Sequence, residues 1–159
     1  MNTYKDFTYA LVCLSFSIIV GAAVFEHLSV WPQAYEAMPK SLTMFQGEYA
    51  LNAGNFWGKI HPVTLLLFVI NLILLWKSAR RKHILIVFIS YFIILVITNF
   101  YFVPELLELI GTEISDTVDE ALVKRGRLWI NLSLIRTVII TVLAIILYLG
   151  LTKPTIRQH

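Results

Sequence analysis

The sequence predicts an all-α polytopic membrane protein. Its four spanning helices form an antiparallel bundle, with an aromatic-rich outer loop between the first and second. Three observations predict this. Of 159 residues, 58% are hydrophobic and only 14% are charged, and mean hydropathy is +0.75, far more apolar than an ordinary soluble domain. Four long runs are nearly free of charge. The loops between them divide by sign, basic on one side and acidic on the other.

The first span covers about residues 7–30; Phe7 to Phe25 carries no charge and matches the roughly 17–25 residues that cross a bilayer as a helix. Gly21-Ala22-Ala23 has the small residues of a leader-cleavage site. The span carries polar residues that would be odd in a disposable leader, so it is read as retained; Ser15, Ile19, Ala22, Ala23 and Glu26 form one stripe on it. The stripe's small residues favour close helix packing and turn Glu26 inward. The loop Trp31–Lys59 follows, with Trp31, Tyr35, Phe45, Tyr49, Phe56 and Trp57 alongside Pro32 and Pro39. Such aromatic density suits an interfacial belt or a cap on the bundle, with short helices around 33–37 and 41–50.

The second span covers about residues 60–77, and Ile60 to Trp76 carries only His61. The third covers about 84–110; Ile84 to Val103 is uncharged, Pro104 kinks the helix without ending it, and Gly111 terminates it. The fourth covers about 118–152. Thr117 with Glu120 reads as a capping box at its start, and Leu128 to Thr152 carries only Arg136. The whole of 1–159 reads as one transmembrane domain, with no repeat and no low-complexity stretch.

Charge sets the orientation. Lys5, Lys77, Arg80, Arg81, Lys82, Lys153 and Arg157 fall on one side, and nine of the ten acids on or near the other. The positive-inside rule places both termini and the 77–83 loop in the cytoplasm, with the plasma (inner) membrane as the expected location. The net charge of +3 is therefore a topology signal and not a nucleic-acid footprint. Cys13 is the only cysteine, which excludes an internal disulfide and a thiolate metal cluster. No Gly-rich phosphate loop is present, so no nucleotide cofactor is expected.

Polar residues mark a candidate site. Glu26 and His27 close the first span, His61 opens the second, Glu105 and Glu108 follow the third, and Arg127, Asn131 and Arg136 open the fourth. Alternating helices bring these to one level, and ionisable groups at membrane depth are functional candidates. Glu26 or His61 is the candidate general base, and Arg136 with Asn131 would stabilise a phenolate- or enolate-like charge. Asn131 and Arg136 lie about 140° apart around their helix, so both cannot point straight at one ligand. Arg136 lies about 13 Å along the helix from Arg127, too deep to reach outer water, and needs a carboxylate, a ligand anion or a polar cavity. Glu26 is its preferred partner; a register-fixing ion pair is the plainer alternative. His27, His61 and Glu105 have the donor types for zinc, copper or iron, with Glu26 or Glu108 as alternative carboxylates. No ligand pair sits at i and i+4, so separate interfacial histidines remain the alternative. Tyr101, Trp129 and Arg127 are candidate substrate contacts. Asn71 and Asn99 read as interhelical hydrogen-bonders, and His83 and His159 as cytoplasmic bystanders.

Two segments carry a family resemblance. Ile97-Thr98-Asn99-Phe100-Tyr101-Phe102-Val103-Pro104 resembles the end of the third helix in the anthrone-oxygenase-like family of small four-helix membrane proteins. Gly126-Arg127-Leu128-Trp129-Ile130-Asn131-Leu132-Ser133-Leu134-Ile135-Arg136-Thr137 resembles that family's Trp/Asn/Arg pattern at the start of the fourth. The two segments span 20 of the 159 residues. The resemblance implies a four-helix bundle and Trp129, Asn131 and Arg136 as the carried-over positions. It implies oxidation of a lipophilic ring system by molecular oxygen only loosely, since most members are uncharacterised.

The expectation is a membrane-embedded, oxidoreductase-like enzyme whose polar site, with or without a metal, lies in the outer half of the bundle. Its partners would be membrane lipids and a lipophilic small molecule, with a homo-oligomer or a partner membrane protein as further candidates. The alternative is a non-catalytic binding module or accessory subunit in which the polar cluster is structural glue. A transporter is the weakest reading, because four spans without an inverted repeat give little from which to build alternating access.

Overall fold

The computed structural model describes residues 3–155, so Arg157 and His159 lie outside the described residues. Four helices are long and apolar enough to cross a membrane: Thr3–Ala34, Gly54–Leu74, Arg81–Ile110 and Glu120–Thr152. They are called the first to fourth helices below. The second begins at Gly54, some way before the apolar run that announces it. Asn55 and Lys59 are exposed there; a helix can start among solvated polar residues, and hydropathy registers only its apolar part. The fourth starts at Glu120, where the Asp119 carboxylate accepts from the amides of Ala121 at 2.9 Å and Leu122 at 3.1 Å. The expected capping box from Thr117 is not made; the Thr117 hydroxyl lies 2.8 Å from that of Ser115.

Two helices are interrupted in the same way. The first passes through a π-helical turn at Glu26–Val30, closed by the Trp31 amide donating to the Glu26 carbonyl. The third does so at Thr98–Phe102, closed by the Val103 amide donating to the Thr98 carbonyl. Each turn opens six residues before a proline, Pro32 and Pro104. A proline offers no amide to the preceding turn and its ring crowds the carbonyl four residues back. The wider turn absorbs that fault and lets both helices continue, and such turns recur at functional sites.

Contacts between helices run in descending register. From first to second helix, the Thr8 carbonyl accepts from Asn71 Nδ2 at 3.0 Å, the Ser15 and Thr64 hydroxyls are 2.5 Å apart, and the Glu26 carboxylate accepts from Trp57 Nε1 at 2.8 Å. From third to fourth, Thr98 meets Arg136, the Phe102 carbonyl accepts from Trp129 Nε1 at 3.0 Å, and Glu105 pairs with Arg125. Tyr9 donates from its hydroxyl to the Leu147 carbonyl at 2.7 Å, joining the first helix to the fourth. Asn71 therefore bridges two helices as expected. Asn99 does not: it is exposed and donates to Leu95 on its own helix.

The buried side chains fall into two clusters. One is built around Tyr9, Phe16, Phe68, Tyr91 and Leu147. The other packs Trp31, Tyr35, Met38, Leu42 and Leu109 around Trp129. Glu26, Thr98 and Arg136 each fall, along their own helix, between residues of the first cluster and residues of the second. This leaves a polar level between two apolar ones.

The segment after the first helix lies on the fourth. The Asp119 amide donates to the Met38 carbonyl at 2.9 Å. Trp31 meets Trp129 edge-on, with centroids 4.9 Å apart, and stacks on Phe45 at 5.8 Å. Gly126 permits the approach, because a Cβ there would come within 2.9 Å of Met38 Sδ and 3.0 Å of the Tyr35 ring. The expected short helices are only partly there: the first helix ends at Ala34 and a 3-10 turn covers Lys40–Phe45. Gln46 then donates to the carbonyls of Ile110 at 2.9 Å and Thr112 at 2.8 Å, capping the end of the third helix from the loop.

Arg80, read from sequence only as a topological charge, is a buried clasp. It reaches Asp6 at 2.7 Å and the Lys153 carbonyl at 2.8 Å, and lies over the Tyr9 ring at 5.3 Å. One side chain thus ties the loop after the second helix to the start of the first and the end of the fourth.

Candidate functional site

A cavity of about 1050 Å³ occupies the polar level, with Glu26, Trp57, His61, Tyr91 and Arg136 among its lining residues. Its volume is at the upper end for small-molecule sites. The helices deliver each polar group by a local device. The π-helical turns begin at Glu26 and Thr98, and each brings its first residue to this level. Pro62 follows His61 inside the second helix.

Glu26 accepts from Trp57 Nε1 at 2.8 Å. The Trp31 indole N–H is buried without a hydrogen-bond partner among the described residues. Trp57 stacks on the His61 ring, with centroids 5.2 Å apart and planes 20° from parallel. His61 Nδ1 shares a 2.5 Å hydrogen bond with the Tyr91 hydroxyl. Glu26, Trp57, His61 and Tyr91 thus form a chain of touching groups drawn from three helices.

Arg136 is held otherwise than expected. Nη1 donates to Thr98 Oγ1 at 3.1 Å and Nη2 to Ser133 Oγ at 2.9 Å, and the guanidinium lies 4.2 Å from the centre of the Phe102 ring. No direct ion pair joins it to Glu26 among the described residues. The preferred pairing is therefore replaced by two hydroxyls and an aromatic face. These orient the charge without cancelling it, and Glu26 and Arg136 are left facing the same cavity with opposite formal charge.

The other expected residues divide. Trp129 lines the cavity and is buried. Asn131 is exposed and is not among the lining residues, as its 140° offset from Arg136 would have it. Arg127 is exposed and likewise absent from the lining. Tyr101 turns to a smaller cavity of about 290 Å³ between the third and fourth helices, which also reaches Arg136. Glu105 and Glu108 are both engaged by Arg125.

His27, His61 and Glu105 are not brought together. Among the described residues, no group of three or more His, Cys, Asp or Glu side chains is placed to hold a metal ion. Each expected ligand has its own employment: His27 Nδ1 donates to the Ala23 carbonyl at 2.8 Å, His61 pairs with Tyr91, and Glu105 pairs with Arg125.

Sequence reasoning missed Trp57, Tyr91, Thr98, Ser133 and Trp31. Hydroxyls and aromatic rings in apolar runs look like ordinary membrane-helix residues. The proline six residues beyond Glu26 and beyond Thr98 was a usable signal. No protein-family model, no curated protein and no solved structure matches the chain.

Proposed function

We propose that this chain is an integral membrane protein, an antiparallel four-helix bundle with both termini in the cytoplasm and the polar cavity in its outer half. Its function is that of a membrane-embedded enzyme of oxidoreductase type, acting on a lipophilic small molecule. The observation that carries this reading is the single cavity that holds a carboxylate, an imidazole–phenol pair and an arginine without a contacting acid, inside apolar walls.

Those groups support one chemical task. Glu26, oriented by Trp57, takes a proton from an acidic O–H or C–H of the substrate, with His61 and Tyr91 as a second proton-carrying pair. Arg136, fixed in advance by Thr98 and Ser133, stabilises the enolate- or phenolate-like oxygen that results. Such an anion is the electron-rich form that an oxidant attacks. Molecular oxygen as that oxidant is the contribution of the family resemblance alone.

A non-catalytic ligand-binding module is the second reading. It is favoured by the hydrogen bonds that Glu26 and His61 already make to Trp57 and Tyr91. Incubating an organic extract of the host membranes with purified protein under air, and comparing compounds by mass spectrometry, separates the two. The enzyme reading expects one lipophilic compound to be consumed by wild type and spared by Glu26→Gln and by Arg136→Leu. Equal consumption by all three proteins would contradict it. Retention of a compound without consumption would select the binding module.

A further inference from the structure

We infer that the ligand reaches the cavity sideways from the lipid phase, through a gap between the second and third helices. It is therefore a single-chain amphiphile with an acidic O–H head, whose chain lies in that gap. The inference rests on the site assigned above and adds the route of entry and the class of molecule.

The gap has a sill. The aromatic contacts of the second helix with the third are Phe68 on Phe88 at 5.8 Å, Phe68 on Tyr91 at 6.1 Å and His61 on Tyr91 at 5.9 Å. The His61–Tyr91 hydrogen bond is the outermost side-chain hydrogen bond between them. Beyond it both helices line the cavity, through Gly54 and Gly58 on one and Val96, Phe100 and Val103 on the other. Phe100 is 85% exposed and Val96 41%, so these side chains belong both to the cavity wall and to the outer surface of the bundle. In a bilayer that surface meets lipid. Both edges are also weakened. Pro62 cannot donate to the Gly58 carbonyl, and the third helix carries its π-helical turn and Pro104 there.

Chemistry along the route selects the occupant. The gap is walled by apolar groups and suits a hydrocarbon chain. The floor offers Arg136 to an acceptor oxygen and Glu26 to a donor hydroxyl, which together fit a small head bearing an acidic O–H. A water-soluble ion would leave the gap unfilled, and a phosphodiester lipid would bring an anion without an acidic O–H against Glu26.

The protein's own tryptophans provide the test. Of the four, Trp31, Trp57 and Trp129 line the cavity and Trp76 does not. A Trp76→Phe background in phosphatidylcholine vesicles therefore reports from the cavity alone. Dibrominated stearic acid is the probe, and dibrominated phosphatidylcholine is the control for surrounding lipid. Saturable quenching by the acid is expected, with its midpoint raised at least about tenfold by Arg136→Leu. Gly58→Leu places a side chain in the gap, and its Cβ meets nothing within 4 Å. It should slow the onset of quenching in stopped flow by about fivefold or more. If Arg136 is required but Gly58→Leu binds at the wild-type rate, the site stands and the lateral route is overturned. If the acid quenches no differently from the control lipid and Arg136→Leu changes nothing, the amphiphile and the site reading both fail.

Discussion

Arg136 donates to the Thr98 hydroxyl at 3.1 Å, and Thr98 is the residue at which the third helix leaves α-geometry for a π-helical turn. The position of the one deep charge in the fourth helix is thus tied to a backbone irregularity in its neighbour. That irregularity in turn answers to Pro104, six residues on.

Replacing Pro104 by alanine restores the missing amide and removes the ring that crowds the preceding turn. The third helix should relax toward continuous α-geometry and swing Thr98 away from Arg136. An interior helical proline costs about 3 kcal/mol in an ordinary helix, so Pro104→Ala should leave stability unchanged or raise it while ligand binding falls. Thermal unfolding in detergent, read beside ligand retention, checks both halves. A variant that loses stability and keeps its ligand would break the link between the proline and the site.

The two inward-turned arginines, Arg80 and Arg136, should respond differently. Arg80 holds Asp6 and the Lys153 carbonyl, so Arg80→Leu strands a carboxylate and a helix-end carbonyl. A loss of about 1.5–3 kcal/mol is expected from hydrogen bonds to a charged group. Arg136 has no acid in contact, so Arg136→Leu strands only two hydroxyls and should cost less while abolishing ligand retention. Parallel urea or thermal titrations of the two variants measure the contrast. Equal destabilisation would assign Arg136 a structural role.

Gly126 is the contact point between the outer segment and the fourth helix. A valine there would press on Met38 and the Tyr35 ring. Overpacking of this kind costs about 1–3 kcal/mol. The expected readout is faster proteolysis within residues 35–52, with the helices intact by circular dichroism. Unaltered proteolysis would show that the segment is not held by this contact.

The four spans were legible because apolar length is a property of sequence alone. Glu26, His61 and Arg136 were legible because a polar group in or at the end of an apolar run needs a reason, and Trp129 through the family resemblance. The rest depended on rotation and on neighbours. Asn131 shares a helix and a depth with Arg136 but faces away from the cavity. Tyr91 and Trp57 became part of the site only when folding set one beside His61 and the other between His61 and Glu26. Arg80 sits in a run of basic residues that the positive-inside rule already explains, so nothing marked it as the one that turns inward. The metal set was suggested by residue type and depth, and side-chain direction separated its members.

The cavity is proposed to be a ligand site centred on Glu26 and Arg136. The most direct test is native mass spectrometry of gently extracted wild type beside Arg136→Leu. A lipophilic compound should be bound near one per chain in wild type and lost from a folded Arg136→Leu protein. A compound retained equally by both, or by neither under conditions that preserve the fold, would contradict it.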